Sequence, residues 1–261
     1  MRLGRGVDRE ALEHGLWSVQ GRGGRKVARI GRGRKVRVAA ARGANQTGAM
    51  TASTLHFLDA RGRLRTNRAW LARIVKDADS RIRAICDPGP VDIVIRPGTE
   101  VVPELGHLGH SPSAGQIFIT VDPANPEITR NPNGVFQRSL AHGMHHSMRW
   151  DGPGYGRTLG EALVSEGLAG QFAKQAFGPP AAPWEKAYDD DEIDPPMSEA
   201  LSAWDDPGYD HAEWFYGAGG RARWAGHTLG FRLVGAVLER EGITPAAAAN
   251  WPAEAFRPKA A

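Results

Sequence analysis

Two histidines, His142 and His146, stand four residues apart in a stretch of helical periodicity, residues 135–149, so their imidazoles lie one above the other on one helix face. Two ring nitrogens placed this way can take two corners of a zinc tetrahedron. The spacing alone is a weak signal, since nine histidines among 261 residues give roughly 0.3 such pairs by chance. A third ligand is what would turn the pair into a site. The next helical stretch offers Glu161 and Glu166. Glu161 follows Thr158 by three residues in the capping-box pattern, which already gives its carboxylate a structural role. Glu166 lies two turns inside the helix in the apolar run LVSEGLA, where an ionised carboxylate is costly unless it meets a cation or donors. Glu166 is therefore the better ligand. Two His from one helix and one Glu from the next leave a fourth position open, as in a catalytic rather than a structural zinc site.

Several elements must position these three side chains. Trp70, Leu71, Ile74, Val75, Ala78, Ile82 and Ile85 recur at three-to-four spacing and predict an amphipathic helix that stops at Asp87-Pro88-Gly89-Pro90. Residues 91–96 and 116–122 are rich in β-branched side chains and predict strands, with a loop containing Gly, His and Pro between them. In that loop His107 and His110 are expected to face solvent. The Gly-rich connector 151–157 lets the chain reverse, so that the helix beginning after Thr158 packs beside the histidine helix. It lacks the ending of a phosphate loop and follows a helix, so it is not read as one. Residues 179–210, rich in Pro and Asp, predict a mobile acidic loop with one short helix. A last long helix covers residues 222–241, and Thr244-Pro245 caps a short terminal one.

Residues 1–45 carry a net charge of +9 and the remainder −5, so the overall +4 says nothing about the ligand of the main body. Residues 1–49 are dominated by Gly and Arg, with too few large apolar side chains to offset the entropy of ordering, and are expected to be a disordered tail. Translation starting at Met50 is an alternative account of that stretch. Such a tail can contact phosphates but has no interleaved aromatics to stack on bases, so nucleic acid is the weaker expectation for a partner. No window reaches the apolar length of a membrane helix, and no apolar run of a signal peptide follows the basic start. The single Cys86 excludes an internal disulfide; it reads as a packing residue in a reducing, cytoplasmic setting.

The run SLAHGMHHSMRW, the connector GPGYGRT, the segment LGEALVSEGLA and the C-terminal WFYGAGGRARWAGHTLGFRLVGAVL together resemble the predicted zinc-dependent proteases of a bacterial domain family related in plan to gluzincins. The resemblance covers roughly residues 55–257. It implies an α+β zincin-like domain over residues 50–261, with a small mixed sheet plus helices and a metal cleft between two lobes, and with the strand 116–122 before the histidine helix at the sheet edge, where an extended peptide could add as a further strand. It also implies Zn²⁺ on His142, His146 and Glu166, and a peptide or protein substrate hydrolysed by a zinc-bound water. One departure matters. The family pattern is H-E-x-x-H, and Gly143 stands where its Glu would serve as general base. General-base assistance is typically worth about 10² to 10⁴ in rate, so the expectation is a metallopeptidase-family protein with impaired hydrolysis. The alternative is a non-catalytic zinc-binding protein that recognises peptides. His145, Glu161 and His227 are the weak candidates to replace the missing base. His227, where the family is expected to carry an aromatic residue, also reads as an oxyanion donor or as a helical histidine satisfied by a neighbour. His145 reads otherwise as exposed or as a group behind the ligands. Arg149 and Arg157 read as binders of a substrate carboxylate or as partners of surface acids.

Overall fold

The computed structural model describes residues 53–258; the Arg/Gly-rich segment 1–49 lies outside the described residues. The chain builds strand β1 (Thr54–Phe57), helix α1 (Arg68–Arg83), strands β2 (Asp92–Pro97), β3 (His107–Ser113) and β4 (Gln116–Val121), and the single turn α2 (Glu127–Arg130). Then follow α3 (Val135–Arg149), α4 (Leu159–Phe177), α5 (Asp194–Ser202), α6 (His211–Tyr216) and α7 (Ala225–Glu241), with short 3₁₀ turns between some of them and a last one at Ala253–Phe256. This is an α+β fold with a small mixed sheet.

The strand order is β1-β2-β4-β3, with β1, β2 and β4 parallel and β3 antiparallel to β4. Alternation along β2 and β4 buries Ile93, Ile95, Ile117 and Ile119, which join Leu71, Ile74, Ile82, Phe136 and Leu140 of α1 and α3 in one core.

Two sequence expectations fail here. The strand at residues 116–121 is interior, because residues 107–113 form a further strand and take the edge. That strand was hidden by Gly109 and Pro112, residues depleted in strands, and its pairing shifts register between His110 and Ser113. Nor do its histidines face solvent. His107 is buried; its Nδ1 donates to the Leu105 carbonyl (3.0 Å) and its Nε2 accepts from Ser139 Oγ (2.9 Å) on α3. His110 is half-buried and stacks on Phe118. Two more bonds tie the β3–β4 hairpin to α3, Gly115 N to Ser147 Oγ (2.8 Å) and Trp150 Nε1 to the Ser111 carbonyl (2.9 Å).

Helix α4 is central, packing against α3 on one side and α7 on the other. The crossing with α7 is close because Gly167 faces Gly230: a Cβ on Gly167 would collide with the Gly230 carbonyl, and one on Gly230 with the Leu163 carbonyl. Residues 179–210 do not form the expected mobile loop. Trp184, Ala200 and Trp204 are buried in it, and Trp204 covers Gly160 of α4. Glu185 accepts from Arg138 of α3 through both carboxylate oxygens (2.8 and 2.7 Å), a buried pair that fastens the start of this segment to the core. The Asp-rich composition describes only its exposed face. Past Gly242 the chain makes turns and the Ala253–Phe256 3₁₀ turn instead of a capped α-helix.

Candidate metal centre

Helix α3 buries residues on all sides between the sheet and α4, and His142 and His146 lie on its α4-facing side. The following reversal is built as the sequence predicts. Thr158 Oγ1 accepts from Glu161 N (3.3 Å), and Glu161 Oε2 accepts from Thr158 N (3.1 Å) and Arg157 N (2.6 Å), so the capping box is complete. Glu166 then falls two turns into α4, opposite the histidines.

The three side chains converge. His142 Nε2 lies 2.8 Å from Glu166 Oε2 and 3.0 Å from His146 Nε2, and His146 Nε2 lies 3.5 Å from Glu166 Oε1. A zinc ion with bonds of 2.0 to 2.1 Å in tetrahedral geometry needs donors roughly 3.3 to 3.4 Å apart. The observed spacings bracket that value, and a pair of imidazoles with one carboxylate is a donor set zinc takes. Among the described residues this is the one cluster of three or more His, Cys, Asp or Glu that could hold a metal ion. All three are at most 2% exposed.

The electrostatics suit a cation. Burial would raise the Glu166 carboxyl, but the imidazoles of His146 and His227 and the His142 hydrogen bond hold it well below the usual carboxylate range, which favours the carboxylate anion. Burial lowers His142 against the opposing pull of Glu166, which favours the neutral ring and its lone pair.

The other candidates divide. His227 is brought to the centre by the α4–α7 crossing, with Nε2 3.4 Å from Glu166 Oε2; burial pushes it down to about 3, and among the described residues neither ring nitrogen has a hydrogen-bond partner. His145 is fully buried and turned away, its Nε2 donating to the Pro245 carbonyl (3.2 Å) and its ring against Phe172. Glu161 is held in its cap. Neither side chain points to the cluster of His142, His146 and Glu166. Arg149 is neither a substrate binder nor a surface partner: it is buried, donating to Ser165 Oγ (2.9 Å) and to the carbonyls of Ala249 (2.8 Å) and Trp251 (3.0 Å), and burial lowers it to about 10. Arg157 is exposed. Cys86 packs beside Met148 with its thiol raised by burial to about 11. Gly143 lies buried within α3 between His142 and His146.

Sequence reasoning missed the aromatic wall. Tyr155 from the connector donates to Glu166 Oε1 (2.8 Å). Phe215 of α6 meets the His227 ring edge-on at 5.2 Å, and His211 lies between the hydroxyls of Tyr209 (3.2 Å) and Tyr216 (3.4 Å). The signal was the aromatic density of residues 209–216, which reads equally well as core.

Comparison with known proteins follows this geometry. The family described as "Predicted Zn-dependent protease" matches residues 71–257, a span that contains both histidines, Glu166 and His227. The uncharacterized protein YjfC of Bacillus subtilis (strain 168) is 23% identical over 156 residues, 54% of this chain and 50% of that protein, so the match spans about half of the relative's length. No solved structure matches.

Proposed function

This chain belongs to the family of predicted Zn-dependent proteases, and on that premise we propose that it is a zinc-binding, metallopeptidase-family protein whose peptide hydrolysis is impaired by Gly143. The observation that carries the reading is the convergence of His142, His146 and Glu166 on one point inside the helical core. Zinc, when bound, supplies a Lewis acid that polarises a carbonyl and acidifies water.

The chain's own residues do the rest, or fail to. His142 and His146 offer neutral nitrogens from one rigid helix face, and Glu166 offers the anion. Gly143, one residue from His142, has no side chain to take or return a proton. His145 and Glu161 are committed elsewhere. His227, with Nε2 3.4 Å from Glu166 Oε2, would serve as a donor to a developing oxyanion, which stabilises charge but does not abstract a proton from water. A peptide would reach the centre along β3, the antiparallel edge strand fastened to α3.

A second reading has its own support. With all three candidate ligands at most 2% exposed, the centre suits a protein that keeps the metal as a structural clamp and recognises peptides without cutting them. Metal analysis of the full chain, with peptidase assays of the wild type and of Gly143→Glu, separates the two. About one zinc per chain, a nearly silent wild type and a gain of about 10² to 10⁴ in rate on restoring the carboxylate support the disarmed peptidase. Zinc without any gain favours recognition. Robust wild-type hydrolysis overturns the role given to Gly143, and absence of zinc overturns both readings.

A further inference from the structure

Resting on the reading that His142, His146 and Glu166 bind zinc, we propose that Glu166 coordinates through Oε2 alone, and that Tyr155 is the positioning residue that enforces this. The two oxygens of Glu166 have different surroundings. Oε2 faces His142 Nε2 at 2.8 Å and His227 Nε2 at 3.4 Å, whereas Oε1 accepts from the Tyr155 hydroxyl at 2.8 Å and stands 3.5 Å from His146 Nε2. An oxygen engaged by a phenol at that distance is held back from the ion, and the carboxylate is fixed with its other oxygen forward. Outer hydrogen bonds of this kind orient a ligand and are typically worth about 10- to 100-fold in metal affinity.

The phenol is itself anchored. Tyr155 is 8% exposed, and its ring lies 5.7 Å from that of His146. Its carbonyl accepts from Ser165 Oγ (2.8 Å), the residue just before the ligand it serves, and Ser165 Oγ in turn accepts from Arg149 Nε. The flanking Gly154 (φ 71°) and Gly156 (φ 103°) adopt the left-handed region that lets the connector turn Tyr155 inward, and a Cβ on Gly156 would collide with the Glu161 side chain. The Gly-rich connector therefore does more than reverse the chain: it delivers a hydrogen-bond donor to the back of a metal ligand.

The test is zinc affinity by competition with a chromophoric chelator on the metal-free full-length chain, with the absorption spectrum of the Co²⁺-loaded protein as a second readout. Tyr155→Phe keeps the ring and removes the hydroxyl. We expect a 10- to 100-fold weaker zinc affinity and an altered Co²⁺ spectrum, with the denaturation midpoint of the metal-free protein close to that of wild type. Ser165→Ala, which loosens the tyrosine without removing it, should weaken zinc in the same direction by a smaller factor, and it decides the matter if Tyr155→Phe does not fold. Wild-type zinc affinity and Co²⁺ spectrum in the folded Tyr155→Phe variant, or in Ser165→Ala where that variant decides, overturn the proposal while leaving the zinc site standing. A wild type that binds no zinc overturns the underlying reading instead.

Discussion

At the scale of single residues, His142, His146 and Glu166 form a cluster that could hold a metal ion, with Gly143 buried beside them on α3. A buried anion between two imidazoles is costly without a cation, so metal should appear as stability. With free zinc at 100 times its dissociation constant, binding to the native state alone adds about 2.7 kcal/mol, and denaturant titrations with and without a chelator should differ by that much. Glu166→Gln keeps the shape but removes the charge; in that variant the chelator should have little effect on the midpoint. A shift of wild-type size in Glu166→Gln would place the ion elsewhere. Cys86, by contrast, should alkylate slowly in the native state, since burial holds its thiol protonated.

At the scale of elements, the centre depends on how closely α7 can approach α4. Gly167 and Gly230 set that distance by presenting backbone to backbone. Gly230→Ala inserts a methyl group where the Leu163 carbonyl sits, and overpacking of this kind typically costs about 1 to 3 kcal/mol. The same shift should carry His227 away from Glu166, so urea titration should show destabilisation, whereas the helix-propensity gain of alanine would predict the opposite sign. The Arg138–Glu185 pair joins α3 to the segment that follows α4. Glu185→Ala leaves a guanidinium buried with less compensation, and an expected loss of about 3 to 5 kcal/mol is measurable by the same titration.

At the scale of the whole molecule, burying neutral histidines couples folding to pH. His107 is held at about 4 by burial, against an ordinary value of 6.5. Between those values the unfolded chain binds the proton and the native one does not, so stability rises with pH across this window and is lost as pH falls through it. For His107 alone the full span is worth about 3 kcal/mol. Glu185, raised by burial, acts in the opposite sense above its ordinary value of 4.5, so the clean measurement is a difference. The stability gap between metal-free wild type and His107→Gln should narrow by most of that amount from pH 7.5 to pH 4. A gap independent of pH would mean that His107 takes up its proton alike in the native and unfolded chains.

The candidate donors and their local scaffolding were legible in residue type and short-range spacing. The i,i+4 histidines, the capping box that starts α4 and the apolar setting of Glu166 are short-range patterns, written in spacing and residue type, and the helices at 68–83, 135–149, 159–177 and 225–241 follow from the same periodicity. Tertiary structure alone decided which oxygen of Glu166 faces the histidines, that Tyr155 holds the other, that His227 approaches and His145 turns away. It also decided that β3 rather than β4 is the edge. Those outcomes rest on contacts between segments distant in the chain, such as Gly167 against Gly230 and His145 against Pro245. Residue type sets what a side chain can do, but only packing sets which neighbour it meets.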